Sequence, residues 1–219
     1  MSHNAEEYDA IAERLFAPIY PVIAVVERTG KRCGRMLDVG CGGGHLALAV
    51  LREGAFDHVT LLDENADALK MAEDRIRGEL TSENRTSTML SSCCSDICAA
   101  DLAERIGTTF DLIVSRGSMP FWDDQMAAFK NLYALLAPGG VAYVGGGMGS
   151  RALREQIAAQ MAEIRRQNGG SGPRMFDMSA SKALETSAYE ALLEHLGADY
   201  DVVANDEEGR WFVFGKPAE

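Results

Sequence analysis

Leu37-Asp38-Val39-Gly40-Cys41-Gly42-Gly43-Gly44-His45 places four glycines where an apolar run must reverse direction. Residues 35–39, just before the turn, have strand character. Residues 45–51, just after it, have the spacing and composition of a helix that Gly54 closes. The unit is strand, tight turn, helix. Glycine admits positive φ and lets backbone amides approach a ligand with no Cβ in the way, so a cofactor containing adenosine is implied. Spacing removes two common nucleotide turns. The dinucleotide fingerprint G-x-G-x-x-G fails at its third glycine, because His45 stands there after Gly40 and Gly42. A Walker loop needs Lys and then Ser or Thr after the last glycine, and His45-Leu46 follow instead.

The same unit recurs downstream. Residues 58–63 are apolar and β-branched with an acid at the end, and 66–80 follow with helical periodicity. A weaker strand at 88–93 leads to Asp96, a buried strand is expected at 110–114, and a helix at 123–136 ends at Pro138-Gly139-Gly140 before a strand at 141–144. Strands that alternate with helices predict a mostly parallel, doubly wound sheet with helices on both faces. Helices are expected at 150–167 and 179–196, with a flexible loop at 168–173 between them. Residues 200–204 and 210–214 flank the turn 205–209 and predict a hairpin that closes the sheet. Ahead of the glycine turn, residues 6–28 have helical spacing broken by Pro18 and Pro21, which predicts two short helices. There is no internal repeat and no convincing boundary, so residues 1–219 read as one α/β domain.

The net charge of −12 opposes a phosphate backbone, so no nucleic-acid partner is expected and a small-molecule or protein substrate is favoured. No apolar run is long enough to span a bilayer, and the first seven residues are polar and acidic, unlike a secretory signal. A cytoplasmic location, with no membrane partner, follows as an expectation. Five cysteines, an odd number without framework spacing, are expected to be reduced thiols. Cys93, Cys94 and Cys98 cluster near Asp96, but zinc would need a fourth ligand and C-x-x-C pairing, so no metal is expected. Such thiols are read as small buried apolar groups, with metalloid chemistry as the alternative.

Asp38, Gly40, Gly42 and Gly44 resemble motif I of the class I S-adenosylmethionine (AdoMet)-dependent methyltransferases, in which an acid precedes a G-x-G-x-G turn. The likeness extends over residues 36–147: an acid, Asp63, closes the second strand, Asp96-Ile97 follow the third, and the fourth strand and the Pro138-Gly139-Gly140 helix end are also family-like. It implies a seven-stranded sheet of order 3-2-1-4-5-7-6 with strand 7 antiparallel, in agreement with the hairpin read from the residues. It also implies AdoMet as cofactor and S-adenosylhomocysteine as product. The cofactor would lie against Asp38, Gly40, Cys41, Gly42 and Gly44. Asp63, with Glu64 and Asn65 after it, would take the ribose hydroxyls, and Asp96 and Ile97 would take the adenine. Ser115 and Arg116 would complete the set, with residues 1–30 as a helical lid bringing Tyr8 or Tyr20 near the sulfonium. The chemistry is apt, because AdoMet carries an ammonium and a sulfonium that favour nearby carboxylates.

The segment after the fourth strand would face the methyl group. There Arg116 offers a fork for a carboxylate or phosphate, Ser118 a hydroxyl, and Phe121 and Trp122 an apolar wall. The competing reading pairs Arg116 with an acid and buries Phe121 and Trp122 in the core. No general base stands out among His3, His45, His58 and His195. The run Gly145-Gly146-Gly147-Met148-Gly149 would admit a close approach of substrate or lid, or would simply be a flexible turn. The expected activity is methyl transfer to a small-molecule acceptor. Transfer to a protein or RNA, and AdoMet binding without catalysis, remain alternatives. The oligomeric state reads as monomer or homodimer, with Trp211 and Phe212 of the last strand able to support an edge contact.

Overall fold

β1 (Cys33–Val39) runs through the centre of the sheet to the glycine turn, and six further strands surround it in a computed structural model that describes residues 9–16, 19, 25–83, 85, 87–170 and 184–218. They are β2 (Ala55–Asp63), β3 (Met89–Cys94), β4 (Phe110–Arg116), β5 (Leu136–Gly146), β6 (Asp199–Asn205) and β7 (Gly209–Gly215). The order is β3-β2-β1-β4-β5-β7-β6. β1, β2, β3, β4 and β5 pair in parallel, whereas β7 is antiparallel to both β5 and β6. The expected topology and terminal hairpin are both present.

The period-two alternation of side chains divides the core between the two faces of the sheet. Met36 of β1 and Trp211 of β7 enter one layer, together with Leu46, Val50, Leu69 and Ile76. Leu37 of β1 and Phe212 and Phe214 of β7 enter the other, together with Phe129, Leu132, Tyr189 and Leu193. The helices in chain order are α1 (Val25–Thr29), α2 (His45–Glu53), α3 (Ala66–Ser82), α4 (Leu102–Ile106), α5 (Gln125–Leu135), α6 (Arg151–Gln167) and α7 (Thr186–His195). A π-helical turn, Ala12–Phe16, precedes them and buries Leu15. Local chemistry sets the starts of three of these helices: the side chains of Asn65, Asp124 and Ser150 accept first-turn amides of α3, α5 and α6.

Three differences from the sequence reading have physical causes. Trp211 and Phe212 do not form an edge, because β7 lies inside the sheet and β6 takes the rim. Trp211 stacks on Tyr143 at 4.6 Å, and Phe212 meets Phe129 edge-on at 5.3 Å. The helix before Pro138 ends at Leu135, and the chain already pairs at Leu136. Between the Phe110 and Leu112 registers the ladder shifts, and Gly139 bonds instead to Lys216. The five-residue helix α4 was not expected; Leu102 is its one buried side chain, too little to produce a periodic signal. Pro18, Pro21, residues 171–183 and Tyr8 and Tyr20 lie outside the described residues. Among the described residues no helix is long and apolar enough to cross a membrane.

Candidate active site

The C-terminal ends of β1 and β4 mark the point where strand order reverses, which is where open α/β sheets place their ligands. The turn after β1 is held from both sides. Gly40 and Cys41 donate their amides to Leu62 O at 2.8 and 3.1 Å, and Gly42 donates to Asp63 Oδ2 at 2.9 Å. Asp38 Oδ2 accepts from Ala47 N at 3.1 Å and joins β1 to the start of α2.

Two of the glycines have different reasons to be glycine. Gly40 has φ +64, and a Cβ there would lie 2.4 Å from Ser118 Cβ, so it admits the segment after β4. Gly42 has φ +50, and a Cβ there would meet nothing within 4 Å. Its missing side chain faces open cleft, and this is the cradle a cofactor would fill.

The cleft has a volume of about 550 Å³. The structure brings to it Gly40, Gly42, Asp63, Glu64 and Asn65, then Asp96 and Ile97 across the mouth, and Arg116, Ser118, Phe121 and Trp122 at the far end. Asp38, Cys41, Gly44 and Ser115 do not line it. Asp38 and Cys41 are buried beneath the turn, Gly44 packs on Ala72, and Ser115 donates its hydroxyl to Val39 O at 2.7 Å while lying 2.5 Å from Ser118 Oγ. Burial, reinforced by the Asp63 charge, pushes the Asp38 carboxyl up to about 7 despite the Ala47 amide. Burial pushes the Cys41 thiol well up too.

Sequence reasoning missed the apolar floor of Val39 and Leu62, the α3 face of Ala68 and Met71, and also Ser95 and Asp123. The i, i+3 spacing of Ala68 and Met71 was the available signal for that face.

Asp63 is at the centre of the arrangement: Oδ2 holds Gly42, Oδ1 accepts Asn65 N at 2.9 Å, and a carboxylate still retains lone pairs for two hydroxyls. Asp96 Oδ1 accepts Cys98 N at 2.8 Å, which fixes the loop after β3. Asn131 of α5 donates to Ile97 O at 2.7 Å and to Ala99 O at 2.9 Å. Asn131→Ala should therefore cost about 1–2 kcal/mol in a urea titration, because two carbonyls lose their donor. An unchanged midpoint would show that this loop is held by other contacts.

At the other end, the Arg116 guanidinium donates to Gly147 O at 3.0 Å and lies 4.8 Å over the Phe16 ring, so backbone and an aromatic ring occupy part of the fork. Trp122 is buried against Phe129, with ring centroids 6.3 Å apart, while Phe121 is 66% exposed. In the glycine run at the end of β5, a Cβ at Gly145 would lie 2.2 Å from Arg210 O and one at Gly147 1.9 Å from Glu208 O, so β7 and the turn before it approach these two glycines.

His45 bonds to Asp9 and His58 to Ser91, each through Nε2. Cys93 and Cys98 are half-buried and Cys94 is exposed; Cys98 Sγ donates to Asp124 O at 3.2 Å.

Residues 37–144 match a family profile described as a methyltransferase domain. The chain is similar to the mitochondrial arginine-hydroxylase NDUFAF5 of Danio rerio, at 26% identity over 201 residues, covering 91% of this chain and 56% of that protein. It is 32% identical over 110 residues to the chloroplastic 2-methyl-6-phytyl-1,4-hydroquinone methyltransferase 2 of Oryza sativa subsp. japonica, covering 49% of this chain and 28% of that protein. This chain thus spans about half or less of the length of these curated relatives. Among solved structures, a candidate S-adenosyl-L-methionine-dependent methyltransferase of Methanococcus maripaludis superposes with a TM-score of 0.73 at 29% identity, covering 100% of this chain and 98% of that one.

Proposed function

Since the chain belongs to the class I AdoMet-dependent methyltransferases, we propose that it transfers the methyl group of AdoMet to a small-molecule acceptor. The observation that carries this reading is the cleft of about 550 Å³, which lies in the range of small-molecule sites and ends at Ser118, Phe121 and Trp122. Its charge supports the same reading. Asp63, Glu64, Asp96 and Asp123 line it against one guanidinium, Arg116, a balance that suits a cationic cofactor and opposes a polyanion. The hydroquinone named for the rice relative is a small acceptor of this kind.

Within the cleft we assign Asp63 to the ribose hydroxyls, Asp96 and Ile97 to the adenine, and Gly40 and Gly42 to the methionine end. AdoMet, when bound, supplies an electrophilic methyl carbon. The protein's part is to hold the acceptor in line with that carbon and to exclude water, with Trp122 and Phe121 as the apolar wall and Ser118 as the polar contact. Among the described residues lining the cleft, the side chains able to take a proton are the carboxylates Asp63, Glu64, Asp96 and Asp123, which are weak bases near neutral pH. An acceptor whose nucleophile is already ionised or electron-rich near neutral pH is therefore the best fit.

The test is production of S-adenosylhomocysteine from AdoMet in an ultrafiltered cell extract. Turnover with the filtrate supports the reading, and turnover with the macromolecular retentate alone overturns it. AdoMet binding without turnover in either fraction would leave a binding module.

A further inference from the structure

We propose that Asp9, which precedes the glycine turn by more than thirty residues, is a positioning residue for the cofactor. It would act through a buried cluster that locks the N-terminal segment onto that turn. The inference rests on the cleft being the AdoMet site.

The G-x-G-x-G pattern accounts for Gly40, Gly42 and Gly44 and leaves Gly43 without a reason. Gly43 does not have a positive φ, so its backbone alone would tolerate a side chain. Space is the constraint. A Cβ on Gly43 would lie 1.6 Å from Asp9 Oδ1, so the fourth glycine is what admits this carboxylate to the back of the turn.

Asp9 is 7% exposed and its carboxylate is fully engaged. Oδ2 accepts from Arg75 Nη2 at 2.7 Å, and Oδ1 accepts from Arg75 Nη1 at 3.2 Å and from His45 Nε2 at 2.9 Å. Arg75 Nη1 also donates to the Gly43 carbonyl. Three elements meet here: the N-terminal segment through Asp9, the start of α2 through His45, and α3 through Arg75. Asp9 joins the other two, and Arg75 carries the link to the Gly43 carbonyl, whose next-door glycine, Gly42, faces the cleft.

Farther along the same segment, Phe16 lies under the guanidinium of Arg116, and Arg116 lines the cleft at its other end. The segment thus reaches both the glycine turn, through Asp9, and the Arg116 end of the cleft, through Phe16. Without the Asp9 carboxylate, the largely buried Arg75 loses its counter-charge and its orientation toward Gly43 O. The turn then has to be ordered when the ligand binds, which weakens affinity without removing any direct contact.

The test is the AdoMet dissociation constant by titration calorimetry, with circular dichroism showing each variant folded at the working temperature. Asp9→Asn should weaken AdoMet about tenfold, within the usual range of coupling between linked sites. Arg75→Gln should do the same, and the double variant should be no weaker than either single variant, because the two side chains form one link. Should Asp9→Asn fail to fold, Arg75→Lys, which keeps the charge and loses the fork, must still show a smaller loss in the same direction. A cluster that only stabilised the fold would lower the melting temperature and leave the dissociation constant of the folded variants unchanged, which overturns the proposal. So would additive losses in the double variant. Wild-type protein that does not bind AdoMet would overturn the assignment of the cleft itself, and the proposal with it.

Discussion

Replacing Asp63 with alanine is expected to weaken AdoMet binding by about a hundredfold, roughly 2.7 kcal/mol. Asp63 stands at the end of β2, beside Cys94 of β3, and its side chain meets both the glycine turn and the cleft. In the assignment made above, its free lone pairs accept the ribose hydroxyls, and hydrogen bonds to a charged group contribute about 1.5–3 kcal/mol each. Alanine removes them and also frees the Gly42 amide, so the turn loses a tether when the ligand loses an acceptor. Asparagine, with one carbonyl oxygen for the duties of two, should fall between alanine and wild type. Calorimetric titration of the three proteins checks the order. Equal affinity in wild type and Asp63→Ala would remove Asp63 from the binding site.

The strand order came with the resemblance to the family, whereas the alternation of strands and helices was legible because each inner strand is an apolar run. Acids at the ends of two of them, Asp63 and, beyond the third strand, Asp96, point along the same edge. Boundaries were less legible. β2 begins at Ala55, three residues earlier than its β-branched run suggests, because the exposed Asp57 separates the buried Phe56 from that run. β5 carries Pro138 and two glycines in a stretch that looks like a helix end; only the neighbouring strand and Lys216 show that the chain is already in the sheet. Trp211 and Phe212 looked available for a partner because the hairpin alone does not show which of its two strands lies outside, although the strand order implied by the resemblance does.

For the site, local patterns revealed what local geometry requires. The glycines, Asp63 with Asn65 after it, and Asp96 all act within a few residues of themselves or against the adjacent strand. Contacts between distant segments were invisible: Asp9 with Gly43, Phe16 with Arg116, and β7 against Gly145 and Gly147. Such pairs follow from packing, and no spacing rule encodes them. The direction of Arg116 belongs to the same class. Its fork was legible, but the Gly147 carbonyl it meets lies just past the end of the neighbouring strand β5.

Asp38 is the clearest case of a motif residue whose chemistry the structure redefines, and it gives a pH-dependent expectation. Its carboxyl is 1% exposed, and burial raises it from an ordinary value of 3.8 to about 7. Below pH 3.8 the group is protonated in both the folded and the unfolded chain. Between there and about pH 7 the folded chain keeps a proton that the unfolded chain releases, so stability falls as pH rises, and the loss is complete above 7. Each pH unit of that window is worth about 1.4 kcal/mol, so the whole loss is on the order of 4 kcal/mol. Asp38→Asn never ionises. Its stability relative to wild type should therefore be higher at pH 8 than at pH 5, measured by urea unfolding at both; the same difference at both values would refute the buried charge. AdoMet acts on the same equilibrium from the other side. A bound cation favours the ionised carboxylate, so wild-type affinity should rise from pH 6 to pH 8 as the proton is shed, and the rise should be absent in Asp38→Asn. If wild-type affinity is flat over that range, Asp38 only tethers β1 to Ala47. If it climbs, the buried acid of the turn is also the counter-ion of the methyl donor, acting through the backbone that covers it.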